Sequence, residues 1–158
     1  MNGQPALRLD AILTDSSFGA EAVYSQYTLG GFWEVGLSAK QYGRPTSAAI
    51  SIYSLNTVAE GAYMFRLVGT KSRSVNLYGG AGVFMGYETV DPMHRIPWTI
   101  QTNLKKGYFL YGLQAKLAVE FFVSRTVALT LDGCVPVNFS SPLGKIHCDL
   151  GVGVKIML

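Results

Sequence analysis

The chain has 158 residues, of which 15% are charged and 49% apolar, with a formal net charge of +3. That length suits one domain, 1–158, and the charge is well below the roughly 25% of an average soluble domain. The small, scattered positive excess excludes a basic nucleic-acid surface. No stretch reaches the ~18 uninterrupted apolar residues of a spanning helix; the longest runs, such as residues 117–123, are broken by Glu120. A chain too apolar for water and too interrupted for a helical span suits a transmembrane barrel, where half of every strand can be polar.

The opening residues 1–5 carry neither a basic nor an apolar segment of the signal-peptide kind, so the expectation is a mature form with an added start Met. Residues 6–13 make a first, weakly alternating run, and residues 14–26 are read as a long loop. In residues 33–40 the alternation is clear: Trp33, Val35, Leu37 and Ala39 oppose Glu34, Gly36, Ser38 and Lys40. A turn is expected at Gln41-Tyr42-Gly43-Arg44-Pro45, then a weak strand over residues 46–55 and a short connection near Asn56. Tyr63, Phe65 and Leu67 then oppose Glu60, Ala62 and Arg66. A turn over residues 69–73 leads to residues 74–88, whose faces are blurred by Gly79, Gly80, Gly82 and Gly86. Residues 89–106 form the second long loop. Residues 108–121 place Phe109, Tyr111, Leu113, Leu117, Val119 and Phe121 opposite Gln114, Lys116 and Glu120. After Val123-Ser124-Arg125, residues 127–135 set Val127, Leu129, Leu131 and Val135 against Ala128, Thr130 and Asp132. A connection over residues 138–142 precedes residues 145–158, where Leu150, Val152, Val154 and Ile156 oppose Asp149, Gly151, Gly153 and Lys155.

Successive strand residues point to opposite faces, so each run has one apolar face and one face of charges and small residues. Eight such runs, with short turns at one rim and longer loops at the other, predict an all-β, antiparallel, up-and-down β-barrel of eight strands. It is of outer-membrane type, with both termini at the periplasmic end. Alternation alone does not say which face looks out. A soluble lipocalin-like barrel binding a small apolar ligand would turn the apolar rows inward. The polar rows here are too poor in charge to make a soluble exterior, and the aromatics Trp33, Phe109 and Phe121 lie towards strand ends, as in interfacial belts. The inward network is therefore expected to comprise Glu34, Glu60, Arg66, Lys116, Glu120, Asp132, Asp149 and Lys155, closing the lumen. The other reading of that network is a proton or ion path. Folding at Val123-Ser124-Arg125 is expected to bring Lys116 opposite Asp132 within salt-bridge distance.

Cys134 falls in the polar row and Cys148 in the apolar row of the next strand, so two free thiols are expected. Two Cys and two His, His94 and His147, fit no zinc spacing, and no cofactor or catalytic site is assigned. Asp91, His94, Asp15, Ser16 and Ser17 could in principle serve a lipid-modifying enzyme at the outer rim, but their spacing sets no nucleophile against a base. Gly79-Gly80-Ala81-Gly82 lies within a strand rather than before a helix, so it is no phosphate loop.

Residues 58–92, with Gly61-Ala62-Tyr63, Val75-Asn76-Leu77 and Gly86-Tyr87-Glu88-Thr89-Val90, resemble the conjugative transposon protein TraO family of Bacteroides-type bacteria. So do residues 108–158, with Tyr111-Gly112, Val127-Ala128-Leu129 and Gly151-Val152-Gly153-Val154-Lys155. The resemblance implies an outer-membrane component of the machinery that moves conjugative elements between cells, non-catalytic and structural. Its implied partners are outer-membrane lipid and other conjugation-apparatus proteins, without direct nucleic-acid binding. The chain ends Ile156-Met157-Leu158, whereas barrels of this kind usually end in an aromatic residue. Met93, Ile96 and Trp98, an apolar cluster in the second long loop, are the candidate partner contact; the alternative is that they fold back over the barrel mouth.

Overall fold

A computed structural model describes residues 3–14, 17–46, 50–70, 74–92, 107–140 and 148–158. The strands are β1 (Pro5–Thr14), β2 (Ser17–Thr28), β3 (Gly31–Thr46), β4 (Ile50–Gly69), β5 (Val75–Pro92), β6 (Gly107–Phe122), β7 (Val127–Asn138) and β8 (Asp149–Met157). They pair in sequence order into a closed antiparallel barrel. β1 completes it by pairing with β8, from Ala6↔Met157 to Leu13↔Leu150. The predicted eight-stranded up-and-down barrel is the fold observed.

The side chains sort as the alternation demands. β8 alternates buried and exposed over its whole length. On β1, Arg8 and Asp10 are buried while Leu9 is 69% exposed. Leu113, Leu117, Val152 and Val154 likewise stand on the outside. Polar residues inside and leucines outside invert a water-soluble barrel, so the lipocalin-like alternative fails. A continuous apolar exterior is the surface a lipid phase tolerates and water does not.

Aromatic side chains collect near the two rims. Towards the rim that carries both termini, Tyr24 meets Trp33 at a centroid separation of 6.0 Å and Tyr63 meets Phe65 at 4.6 Å. Towards the opposite, loop rim, Tyr111 lies between Phe109 (6.2 Å) and Phe139 (6.0 Å). Trp33, Phe109 and Phe121 are all exposed, as expected of rings with an apolar body and a preference for the interface.

Several boundaries differ from expectation. Most of the expected loop over residues 14–26 is strand: Ser17–Thr28 is β2, in register with β1 from Pro5↔Gln26 to Thr14↔Ser17. Its outward row contains Ala20 and Ala22 and its inward row contains Val23, so the contrast between faces is slight. The expected turn over residues 41–45 lies inside β3. Pro45 is tolerated there because β2 stops at Ser17↔Tyr42, leaving that stretch of β3 on an edge. The expected strands over residues 46–55 and 60–67 are one strand, β4, of 20 residues, with Asn56 inside it. One strand gained and one lost leave the count at eight. The terminal-rim turn that was missed is Thr28-Leu29-Gly30-Gly31. There Gly30 has φ 96°, a conformation a side chain would strain.

The strands are unequal. β4 and β5 have 20 and 18 residues while β1 and β8 have 10 and 9. Since about 9–11 residues cross a bilayer, the surplus of β3–β5 carries a sheet past the point where β1 and β8 end.

The register of β2 is directly testable. Ala20 stands opposite Ala39, and Ala22 opposite Leu37. With Cys134 and Cys148 replaced by Ser, Ala20→Cys with Ala39→Cys should cross-link on oxidation and shift gel mobility. Ala22→Cys with Ala39→Cys, a diagonal pair at roughly 7–8 Å, should not. The reverse pattern would place residues 17–28 in another register.

Candidate functional site: the charged lumen

The inward rows of the strands bring ionisable side chains to the middle of the barrel. Arg8 on β1 has its Nε 2.6 Å from Asp10 Oδ2, and its Nη1 lies 3.1 Å from Asp132 Oδ1 and 3.6 Å from Glu34 Oε2. Lys116 on β6 donates to Glu34 Oε1 at 2.7 Å and also to Glu60 Oε1, with Glu21 Oε1 at 3.9 Å. Glu34 therefore bridges the two cations. Thr130 donates to Asp10 at 3.2 Å.

Five carboxylates (Asp10, Glu21, Glu34, Glu60 and Asp132) thus share two cations. In a medium of low polarity such a cluster holds only because each acid has a cation or a donor beside it. The glycines of β8 make room for it: a Cβ at Gly153 would run into the Asp10 carboxylate and the Leu9 backbone.

Nearer the terminal rim, Lys155 donates to Glu120 Oε1 at 2.6 Å. The same carboxylate accepts the Tyr27 hydroxyl at 2.8 Å. The Lys155 ammonium also sits 3.9 Å from the Phe32 ring centroid, within reach of the ring's negative face. Nearer the loop rim, Lys40 donates to Asp149 Oδ2 at 2.5 Å, spanning from β3 to β8.

Of the expected inward residues, Glu34, Glu60, Lys116, Glu120, Asp149 and Lys155 are buried inside the barrel, and Asp132 is partly so. Arg66 is not: it is exposed, next to an irregularity in the β4–β5 register between Arg66 and Val68. The expected Lys116–Asp132 pair is off by two positions, since Lys116 stands opposite Cys134 and Asp132 opposite Ala118. The connection between β6 and β7 is a residue or so longer than Val123-Ser124-Arg125, taking in Thr126. Asp132 turns to Arg8 instead.

Arg8, Asp10, Glu21 and Tyr27 were not foreseen, and Lys40, though placed in the polar row of its strand, was left out of the network. The signal for Arg8 and Asp10 was present, in their opposition to Leu7 and Leu9; Glu21 was lost with β2.

Cys134 and Cys148 are both free thiols; Cys134 Sγ donates to Gln114 Oε1 at 3.4 Å. Among the described residues no group of three or more His, Cys, Asp or Glu side chains could hold a metal ion. Asp15, Ser16, Met93, His94, Ile96, Trp98 and His147 lie outside the described residues. Ser17 and Asp91 fall in β2 and β5.

Three solved structures place the architecture. The chain is similar to Ail, the attachment invasion locus protein of Yersinia pestis (TM-score 0.61, 12% identity, 100% of both chains covered). It is similar to the N-terminal β-barrel domain of Pseudomonas aeruginosa OprF (TM-score 0.62, 13% identity, 99% of this chain and 98% of that one). Neisserial surface protein A gives a TM-score of 0.57 at 14% identity, covering 98% and 95%. Identities this low speak to the fold alone. Among curated proteins none matches the sequence. The model of the family described as conjugative transposon protein TraO matches residues 6–158, and the chain belongs to that family.

Proposed function

We propose that this protein is an outer-membrane component of a conjugative DNA-transfer apparatus, a barrel with a closed, polar, non-catalytic lumen that anchors and positions contacts for other proteins of the apparatus. The observation that carries the membrane part is the inverted sorting of side chains, with Leu9 and its outward neighbours exposed and Arg8, Glu34 and Lys116 buried. Membership in the TraO family supports the conjugative setting. In this reading the terminal rim faces the periplasm, the lipid of the outer membrane contacts the apolar band, and nucleic acid is not bound directly. Within the segment read from the sequence as the second long loop, residues 89–106, Met93, Ile96 and Trp98 are the proposed partner contact, on the strength of their apolar character among polar neighbours.

The membrane part predicts that the purified protein stays in solution only with detergent and migrates faster on a gel unheated than boiled. Free solubility with no heat-dependent shift would overturn it. The conjugative part predicts that Trp98→Ala lowers transfer frequency while the heat-dependent shift is retained. Unaltered transfer would remove this loop from the contact.

The closed lumen is held by its ion pairs. Lys116→Met leaves Glu34 and Glu60 short of a cation and should destabilise the folded barrel by about 3–5 kcal/mol, read as a lower urea midpoint. Adding Glu60→Gln should restore part of that loss, since it removes one of the abandoned carboxylates. A midpoint that Lys116→Met leaves unmoved would show that these pairs do not hold the lumen together.

A further inference from the structure

The connections at the terminal rim carry charge of one sign. Residues 28–31, 66–74 and 122–127 include Arg66, Lys71, Arg73 and Arg125 and no Asp or Glu. Lys71 and Arg73 lie outside the described residues, while Arg66 and Arg125 are both exposed. Among the described residues neither arginine forms an ion pair. Glu120, the acid closest to Arg125 in the chain, is buried and already engaged by Lys155 and the Tyr27 hydroxyl.

Both arginines stand on fixed backbone. The Arg66 amide donates to the Gly30 carbonyl at 2.9 Å. Its register partner is Tyr78, on the inward row, but Phe32, Met64 and Tyr78 fill the lumen there. The side chain leans to the rim instead: a Cβ at Gly69 would lie 3.7 Å from Arg66 Cδ. Arg125 sits in the β6–β7 turn, where Ser124 Oγ accepts the Val127 amide at 3.0 Å and the Val123 amide donates to the Val127 carbonyl at 3.0 Å. The Ser74 carbonyl accepts the Phe122 amide at 2.8 Å, so the β4–β5 and β6–β7 connections adjoin. The two cations therefore share one arc of the rim, over β4 to β7.

The apolar band stops at this arc. Phe65, Leu67 and Val68 beside Arg66, and Phe121 and Val123 before Arg125, are all exposed. Interfacial rings such as the Tyr63–Phe65 pair mark the level of the headgroups. An arginine at that level keeps its stem on apolar surface and its guanidinium among phosphates, whose oxygens the planar fork pairs two at a time. We propose that the arc at Arg66 and Arg125 binds the headgroups of anionic phospholipid. Exposed apolar side chains interleaved with the cations favour a lipid, which offers both a phosphate and acyl chains, over an acidic protein. The proposal rests on the membrane reading above and adds to it a preference for one class of lipid at one rim.

Tryptophan fluorescence tests it. The chain has two tryptophans, so Trp98→Phe leaves Trp33 as the sole reporter. Trp33 stands opposite Tyr63, close to Arg66 on β4. In phosphatidylcholine bilayers at low salt, brominated phosphatidylglycerol should half-quench Trp33 at about fivefold lower mole fraction than brominated phosphatidylcholine, the effect of one engaged basic residue. Added salt should narrow the gap, and Arg66→Gln should close it. Arg125 is read separately: phosphatidylglycerol added to the detergent-solubilised protein should raise its thermal midpoint, and Arg66→Gln with Arg125→Gln should lose that rise while keeping the heat-dependent gel shift. Equal quenching by the two lipids before any arginine is replaced overturns the proposal. If the double variant then also lowers transfer frequency, the arc belongs to a protein partner instead. Quenching by neither lipid would overturn the membrane reading, which the need for detergent checks independently.

Discussion

Closure of β1 on β8 is the constraint on which the rest depends. A sheet facing hydrocarbon cannot leave an edge of bare N–H and C=O groups, because no water is there to satisfy them. The pairing from Ala6↔Met157 to Leu13↔Leu150 removes that edge. Once the sheet is a tube, each strand has one inward and one outward row, and the exterior becomes a band of leucine, valine and alanine. Everything charged in the spanning part of the chain is then confined to a narrow interior, where it must find its partners among residues from other strands.

The charged cluster does so by drawing on distant parts of the chain. Arg8 and Asp10 come from β1, Glu21 from β2, Glu34 from β3, Glu60 from β4, Lys116 from β6 and Asp132 from β7. β5 and β8 supply glycines instead, among them Gly82, where a Cβ would meet the Gly61 backbone and Ala62, and Gly153 beside Asp10. Buried ion pairs contribute little net stability compared with apolar packing of the same volume. Their effect here is on register. A strand displaced by one residue exchanges its two rows. Such a slip in β1 or β6 would place Arg8 or Lys116 in lipid, at about 2–4 kcal/mol for a basic residue at the bilayer midplane, and would strand their acids inside. The arrangement makes the correct pairing the one in which no charge is exposed to hydrocarbon.

Strands whose two rows differ in polarity were legible in the sequence, and those whose rows resemble each other were not. β6 and β8 set leucine and valine against lysine, glutamate and glycine, and their inward residues were identified correctly. β2 sets alanine against glycine and valine in its middle, so cues such as Phe18, Glu21 and Tyr24 were few and scattered, and the strand was taken for a loop. The length of β4 escaped for another reason. Asn56 is a common loop residue, but at the loop rim it faces a polar cavity rather than a turn. Pro45 misled in the same way, because a proline forbidden in the middle of a sheet is acceptable where β2 has already ended. Within the site, the identity of the inward charges followed from parity, but the partner of each did not. Parity says which face a residue occupies; only the offset across each hairpin says whom it meets. A connection of slightly different length was enough to move Asp132 from Lys116 to Arg8.

The same distinction explains why barrels at 12–14% identity share this architecture. Closure, alternation and an apolar exterior constrain the class of residue at each position and say little about which member of the class is used. They recur wherever a short chain crosses a membrane as a tube, and carry no function by themselves. What distinguishes this chain lies where class alone is insufficient: a lumen in which two cations hold five acids, and a ring of aromatics that bears a buried lysine at the terminal rim. A lumen needed only to fill space could be packed with small residues and a few matched pairs. An excess of acids in the middle goes beyond that minimum, and it is in this cluster that the chain departs most clearly from a lumen built only to fill space.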